Sequence, residues 1–98
     1  MLSSPPPDLR AFRPRAGEPP VALLCTLPGC RECARFERAR PSYEARELPG
    51  FDVWPWNCGR PAKHQLARGA GVDAIPAYVV LTSDSVRILN LNVDDLLI

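Results

Sequence analysis

The run Val21-Ala22-Leu23-Leu24-Cys25-Thr26-Leu27 is apolar at almost every position and is closed by Pro28-Gly29. A strand with one wet face alternates apolar and polar side chains, whereas a run this uniform suits a strand covered on both faces. The rest of the chain must therefore supply two covering layers. Its 98 residues suffice for one domain with a single core and are too few for two.

The segments that follow have the patterns needed. Arg31 to Arg40 is rich in Ala, Arg and Glu, with Cys33, Phe36 and Ala39 forming a buried stripe, so the spacing predicts a helix. Pro41 is expected to kink or stop it, with Ser42 capping a second segment that Pro49-Gly50 ends. Phe51 to Trp56 reads as a strand of period two, and Pro55, which has no N–H to donate, assigns it to a sheet edge. Trp54 and Trp56 fall on the same side of it, either as cover for the sheet or as a docking patch. Pro61 to Ala70 reads as a short helix with proline in its first turn, stopped by Gly69 and Gly71. Ala77 to Thr82 and Ser85 to Leu91 then form an antiparallel hairpin across Ser83-Asp84, and Asn92 opens a final stub of helix. The predicted fold class is α/β, in the order βαβαββ(α), with a four-stranded mixed sheet flanked by helices.

Residues 1–20 differ in texture. They hold six of the twelve prolines, with Arg10, Arg13 and Arg15 between them, and are read as an extended arm from which Leu9 and Phe12 reach the body. The domain proper is assigned to residues 21–98. The start lacks a basic n-region and an apolar h-region, and no apolar run approaches a membrane span, so the expectation is a cytoplasmic protein without a membrane partner. Interleaved Arg and Glu and a formal charge of +1 give no basic stripe, which argues against a nucleic-acid partner.

In a reducing compartment, cysteines that matter do redox or metal chemistry. Cys30 and Cys33 sit where the buried strand gives way to a helix. Unpaired N–H groups and the positive end of the dipole at that place favour a thiolate, which is the attacking species. The two-residue spacing lets Cys33 resolve a mixed disulfide formed at Cys30. Of the residues between them, Arg31 favours the Cys30 thiolate and Glu32 opposes it.

This chain resembles the thioredoxin-like superfamily in its broad sense, glutaredoxin-like proteins included. The resemblance covers roughly residues 21–91. It rests on a strand followed by Cys30-Arg31-Glu32-Cys33, on the segment Gly71-Val72-Asp73-Ala74-Ile75-Pro76-Ala77-Tyr78-Val79-Val80, and on the hairpin after it. It implies a cis proline at Pro76 facing the redox pair, with Ile75 beside it offering backbone to an extended substrate. It also implies a thiol–disulfide oxidoreductase that needs no cofactor. Its partners would be protein or low-molecular-weight disulfides, with a reductase or glutathione as the source of electrons. Arg-Glu between the cysteines and Leu24 in the first strand, where many thioredoxins carry a buried acid, depart from the familiar pattern.

Two other readings belong beside this one. One is a non-catalytic interaction module of the same fold, working through Trp54, Trp56 and the arm. The other is a metal protein, because Cys25-x4-Cys30-x2-Cys33 followed by Cys58 matches a plant-type [2Fe–2S] spacing, and His64 could join Cys30, Cys33 and Cys58 around zinc. Cys25, within an apolar strand, reads as core; Cys58, in a loop, reads as a spectator, a second redox thiol or a metal ligand. His64 falls on the polar side of its helix and reads as a solvated surface residue.

Overall fold

The computed structural model of the protein describes residues 9–97. The first eight residues of the expected arm lie outside the described residues. Strands β1 (Val21–Thr26), β2 (Asp52–Asn57), β3 (Ala77–Leu81) and β4 (Val86–Asn90) alternate with helices α1 (Arg31–Glu47) and α2 (Pro61–Ala70), and a one-turn α3 (Val93–Leu96) follows. The sheet order is β2-β1-β3-β4. β1 runs parallel to β2 and antiparallel to β3, and β3 pairs antiparallel with β4. The two uninterrupted apolar runs thus become the two central strands, β1 and β3, whose side chains are the most fully covered on both faces.

Alternation along these strands builds two cores. Ala22 and Leu24 of β1, with Tyr78 and Val80 of β3, face α1 and α3 and pack on Phe36, Tyr43 and Val93. Leu23 and Cys25, with Val79 and Leu81, face the other way onto Ala67 of α2. Phe36, Tyr43 and Tyr78 form an aromatic cluster: Tyr43 stacks on Tyr78 at 5.6 Å, and Phe36 meets each of them edge-on. Such pairs each contribute about 0.5–1.5 kcal/mol beyond the area they bury. The Tyr78 hydroxyl donates to Glu44 at 2.6 Å, tying the centre of the sheet to the far half of α1.

Two expectations need correction. α1 does not break at Pro41 but runs on to Glu47 with the proline inside it. The cost of the missing N–H is about 3 kcal/mol. Only a continuous helix brings Tyr43 and Glu44 onto Tyr78, and those contacts offset it. The arm is not extended throughout: Leu9–Phe12 forms a turn of 3₁₀ helix, and Leu9 is buried in the α2-side core. The two tryptophans share one face of β2, as expected, but differ in burial. Trp56 is buried, donates its indole N–H to the Lys63 carbonyl at 3.0 Å, and carries the Lys63 ammonium over its ring. Trp54 is 57% exposed. Their strand does lie at the sheet edge, where Pro55 belongs. Among the described residues no helix is long and apolar enough to cross a membrane.

Candidate active site

The approach to Cys30 is a tight turn. The Cys30 N–H donates to the Leu27 carbonyl at 3.2 Å, with Pro28 and Gly29 between them and Gly29 at φ +74°. Proline followed by a glycine of positive φ is the signature of a type II turn. The turn delivers Cys30 in extended conformation to the N-cap of α1, where its Sγ accepts the Cys33 N–H at 3.1 Å. Cys30 and Cys33 are joined in a disulfide, with Cα atoms 5.2 Å apart. Cys30 is half-buried and Cys33 is buried, so Cys30 is the more accessible residue of the two.

Around the pair the charges are arranged unevenly. Arg31 is exposed on the first turn of α1. Glu32 is half-buried and turned to Arg35, whose guanidinium meets both its carboxylate oxygens at 2.8 and 3.1 Å. Arg35 also pairs with Asp94 of α3 at 2.8 Å. The negative charge at Glu32 is therefore partly neutralised by its own neighbour. Among the described residues no charged side chain is buried, and Leu24, in the core between sheet and α1, supplies no proton acceptor there.

Cys30 opens on a cleft of about 300 Å³ that Ile75, Cys58, His64 and Asp73 also line. Ile75 is half-buried, and the peptide bond it makes to Pro76 is cis. Pro76 itself is buried at the entry to β3. Of the residues singled out from the sequence, Cys30, Cys33 and Ile75 thus come together, while Arg31 and Glu32 flank them on the helix. His64, expected to be solvated, instead stands half-buried in the cleft wall.

Cys58 is the residue that sequence reasoning placed least well. It lies in the turn after β2, as expected, but is buried beside Cys25, and both thiols are free. Burial, reinforced by Cys58, pushes the Cys25 thiol up to about 12. Cys58 is pushed up too, chiefly by burial, with Cys25 and Lys63 pulling the other way. The signal was present in the register. Cys25 lies opposite Trp56 in β2, so the residue two further on returns to the same face. As for metal, among the described residues no three His, Cys, Asp or Glu side chains converge as a metal site would require. Cys30 and Cys33 are engaged with each other, and Cys25 packs in the core, not in a loop wrapped round a cluster. The donor set does not fit a [2Fe–2S] cluster or zinc.

No protein-family model matches the sequence, and no curated protein matches it. Solved structures do match. Thioredoxin O2 from Arabidopsis thaliana, in its oxidised state, superposes with a TM-score of 0.58 at 15% identity, over 84% of this chain and 72% of that one. The J-Trx1 fragment of ERdj5 gives 0.59 at 19% identity, over 81% of this chain and 38% of the fragment. A malarial protein gives 0.57 at 13% identity, over 82% and 91% respectively. With two thioredoxin structures among these neighbours and a Cys-x-x-Cys pair at disulfide distance opening α1, this chain has the thioredoxin-like fold.

Proposed function

We propose that the protein is a thiol–disulfide oxidoreductase in which Cys30 is the attacking sulfur and Cys33 resolves. The observation that carries this reading is the Cys30–Cys33 disulfide at the N-terminus of α1, with the more accessible sulfur facing a cleft that Ile75 shares. In the reduced protein the Cys30 thiolate attacks one sulfur of a substrate disulfide. A Cys30–substrate bond forms, the substrate S–S bond breaks, and the second substrate sulfur leaves as a thiolate that takes a proton. Cys33 then gives up its proton and attacks the Cys30 Sγ. The intramolecular disulfide forms and the second substrate thiol is released, so two electrons pass from protein to substrate. A thiol donor, glutathione or a reductase, reverses these steps on the protein and restores the dithiol.

Each neighbouring group has a part. The Cys33 N–H that meets the Cys30 Sγ at 3.1 Å stabilises the thiolate, as does the dipole of α1. Arg31 adds a positive charge beside it, and the Arg35 clasp weakens the opposition of Glu32. Ile75 and Pro76 shape the wall against which an extended substrate lies. Reduction of insulin disulfides tests the reading: the wild-type protein accelerates it and Cys30→Ser brings the rate to that of a buffer blank.

A second reading draws on one observation, the exposure of Trp54 (57%) and Phe12 (50%) near the edge strand. It makes the protein an interaction module that binds through this apolar margin, and negligible activity in wild type and Cys30→Ser alike would favour it.

A further inference from the structure

Cys25 and Cys58 are reduced and buried, and the chemistry above uses neither. Their meeting is a consequence of the sheet. Cys25 pairs with Trp56 across the parallel β1–β2 ladder, and alternation sends Cys25, Trp56 and Cys58 to one face. The Cys58 N–H donates to the Thr26 carbonyl at 2.9 Å, holding the residue against the end of β1. Both side chains lie in the same buried cluster, close enough for each to shift the other's ionisation.

Cys58, though buried, borders a cleft. It lines the same cleft as Cys30, while Cys25 is fully buried. The loop that carries Cys58 abuts the turn that carries Cys30: a Cβ at Gly59 would stand 2.8 Å from Pro28 Cδ. The two cysteines are unequal chemically as well. Burial disfavours both thiolates, but at Cys58 the Cys25 thiol and then Lys63 offset part of that, whereas at Cys25 the neighbouring Cys58 adds to it.

We propose that Cys25 and Cys58 form a second dithiol, entered from the cleft through Cys58, which a low-molecular-weight disulfide oxidises to a Cys25–Cys58 disulfide. The Cys58 thiolate attacks one sulfur of the small disulfide, forming a mixed disulfide and releasing one thiol. Cys25 then loses its proton and attacks the Cys58 Sγ, and a second thiol departs. Two protein thiols are oxidised and one external disulfide becomes two thiols. Because both sulfurs are buried, this pair reacts after Cys30 and Cys33 and responds to sustained oxidation.

The test uses the full chain carrying Cys30→Ser and Cys33→Ser, so its outcome is independent of the redox role assigned to that pair. The folded protein, checked by circular dichroism, is incubated with 2-hydroxyethyl disulfide, then denatured, alkylated and mapped by mass spectrometry. The expected product is two hydrogens lighter, has no alkylatable thiol, and gives a peptide pair cross-linked through Cys25 and Cys58. Adding Cys25→Ala stops the reaction at a mixed disulfide on Cys58, and adding Cys58→Ala leaves Cys25 unmodified. The proposal is overturned if both thiols stay free, if each carries its own adduct, if the disulfide joins two chains, or if Cys25 reacts without Cys58. Should the doubly substituted chain fail to fold, the same mapping on the wild-type protein decides. There Cys30–Cys33 is expected to form first and Cys25–Cys58 second, and any other pairing overturns the proposal.

Discussion

Replacing Gly29 by alanine isolates the backbone geometry that delivers the nucleophile. Gly29 holds φ +74°, and a Cβ built on it meets nothing within 4 Å. The penalty is therefore conformational, with no steric contribution from neighbours. For a residue with a side chain, this left-handed region costs about 1–2 kcal/mol. In a domain of this size each kcal/mol moves the melting temperature by about 4–8 °C, so Gly29→Ala is expected to lower it by about 5–15 °C. Asparagine enters the same region with less strain, and Gly29→Asn should recover a substantial part of the loss. Urea denaturation of both variants, followed by circular dichroism, reads the difference. An unchanged Gly29→Ala protein, or an asparagine variant no better than alanine, would refute the assignment of the turn to positive φ at Gly29.

Gly59 is needed for the opposite reason: its added Cβ would stand 2.8 Å from Pro28 Cδ and 2.9 Å from Asn57 Oδ1, so Gly59→Ala should cost about 1–3 kcal/mol by denaturation through overpacking. Tyr78→Phe removes the 2.6 Å hydrogen bond to Glu44, a bond to a charged group, and is expected to cost about 1.5–3 kcal/mol, with the smaller figure favoured because Arg40 still pairs with Glu44. High pH should weaken the fold through Cys25. Its thiol is raised from an ordinary 9.0 to about 12 in the folded protein, so the stabilising preference for the protonated thiol is full below pH 9 and is lost as pH rises from there towards 12. Stability of the wild type should fall more steeply over that range than that of Cys25→Ala, by at most about 1.4 kcal/mol per pH unit, and equal slopes in denaturation curves would contradict it.

Much of this architecture can be read from residue order because the decisive signals are local. The apolar runs at Val21 and Ala77 have no polar face, so they must be central, and Pro55 must lie at an edge. Pro61 starts α2 and the glycine at Gly71, with φ +112°, ends it. The position of Cys30 and Cys33 at the head of α1 follows from the Pro28-Gly29 turn alone. What local signals miss is tertiary compensation. Pro41 looks like a helix breaker until Tyr43 and Glu44 are seen to be held by Tyr78 from another element. The 3₁₀ turn at Leu9–Phe12 is not announced by the proline-rich arm, although the docking of Leu9 on the body is. That the loop residue Cys58 is buried shows only once the parallel register sets it beside Cys25, and His64 looks solvated until α2 turns it towards the same cleft as Cys30. In each case the determining partner lies far along the chain.

The claim at the centre of this account is that one sulfur, that of Cys30, takes the first bond from substrate. Trapping shows it most directly. A Cys33→Ser protein mixed with a disulfide-bonded peptide has nothing at that position to complete the exchange, so a covalent adduct should accumulate and map to Cys30. An adduct on Cys58 alone, or none while wild-type protein turns over the same peptide, would contradict the account.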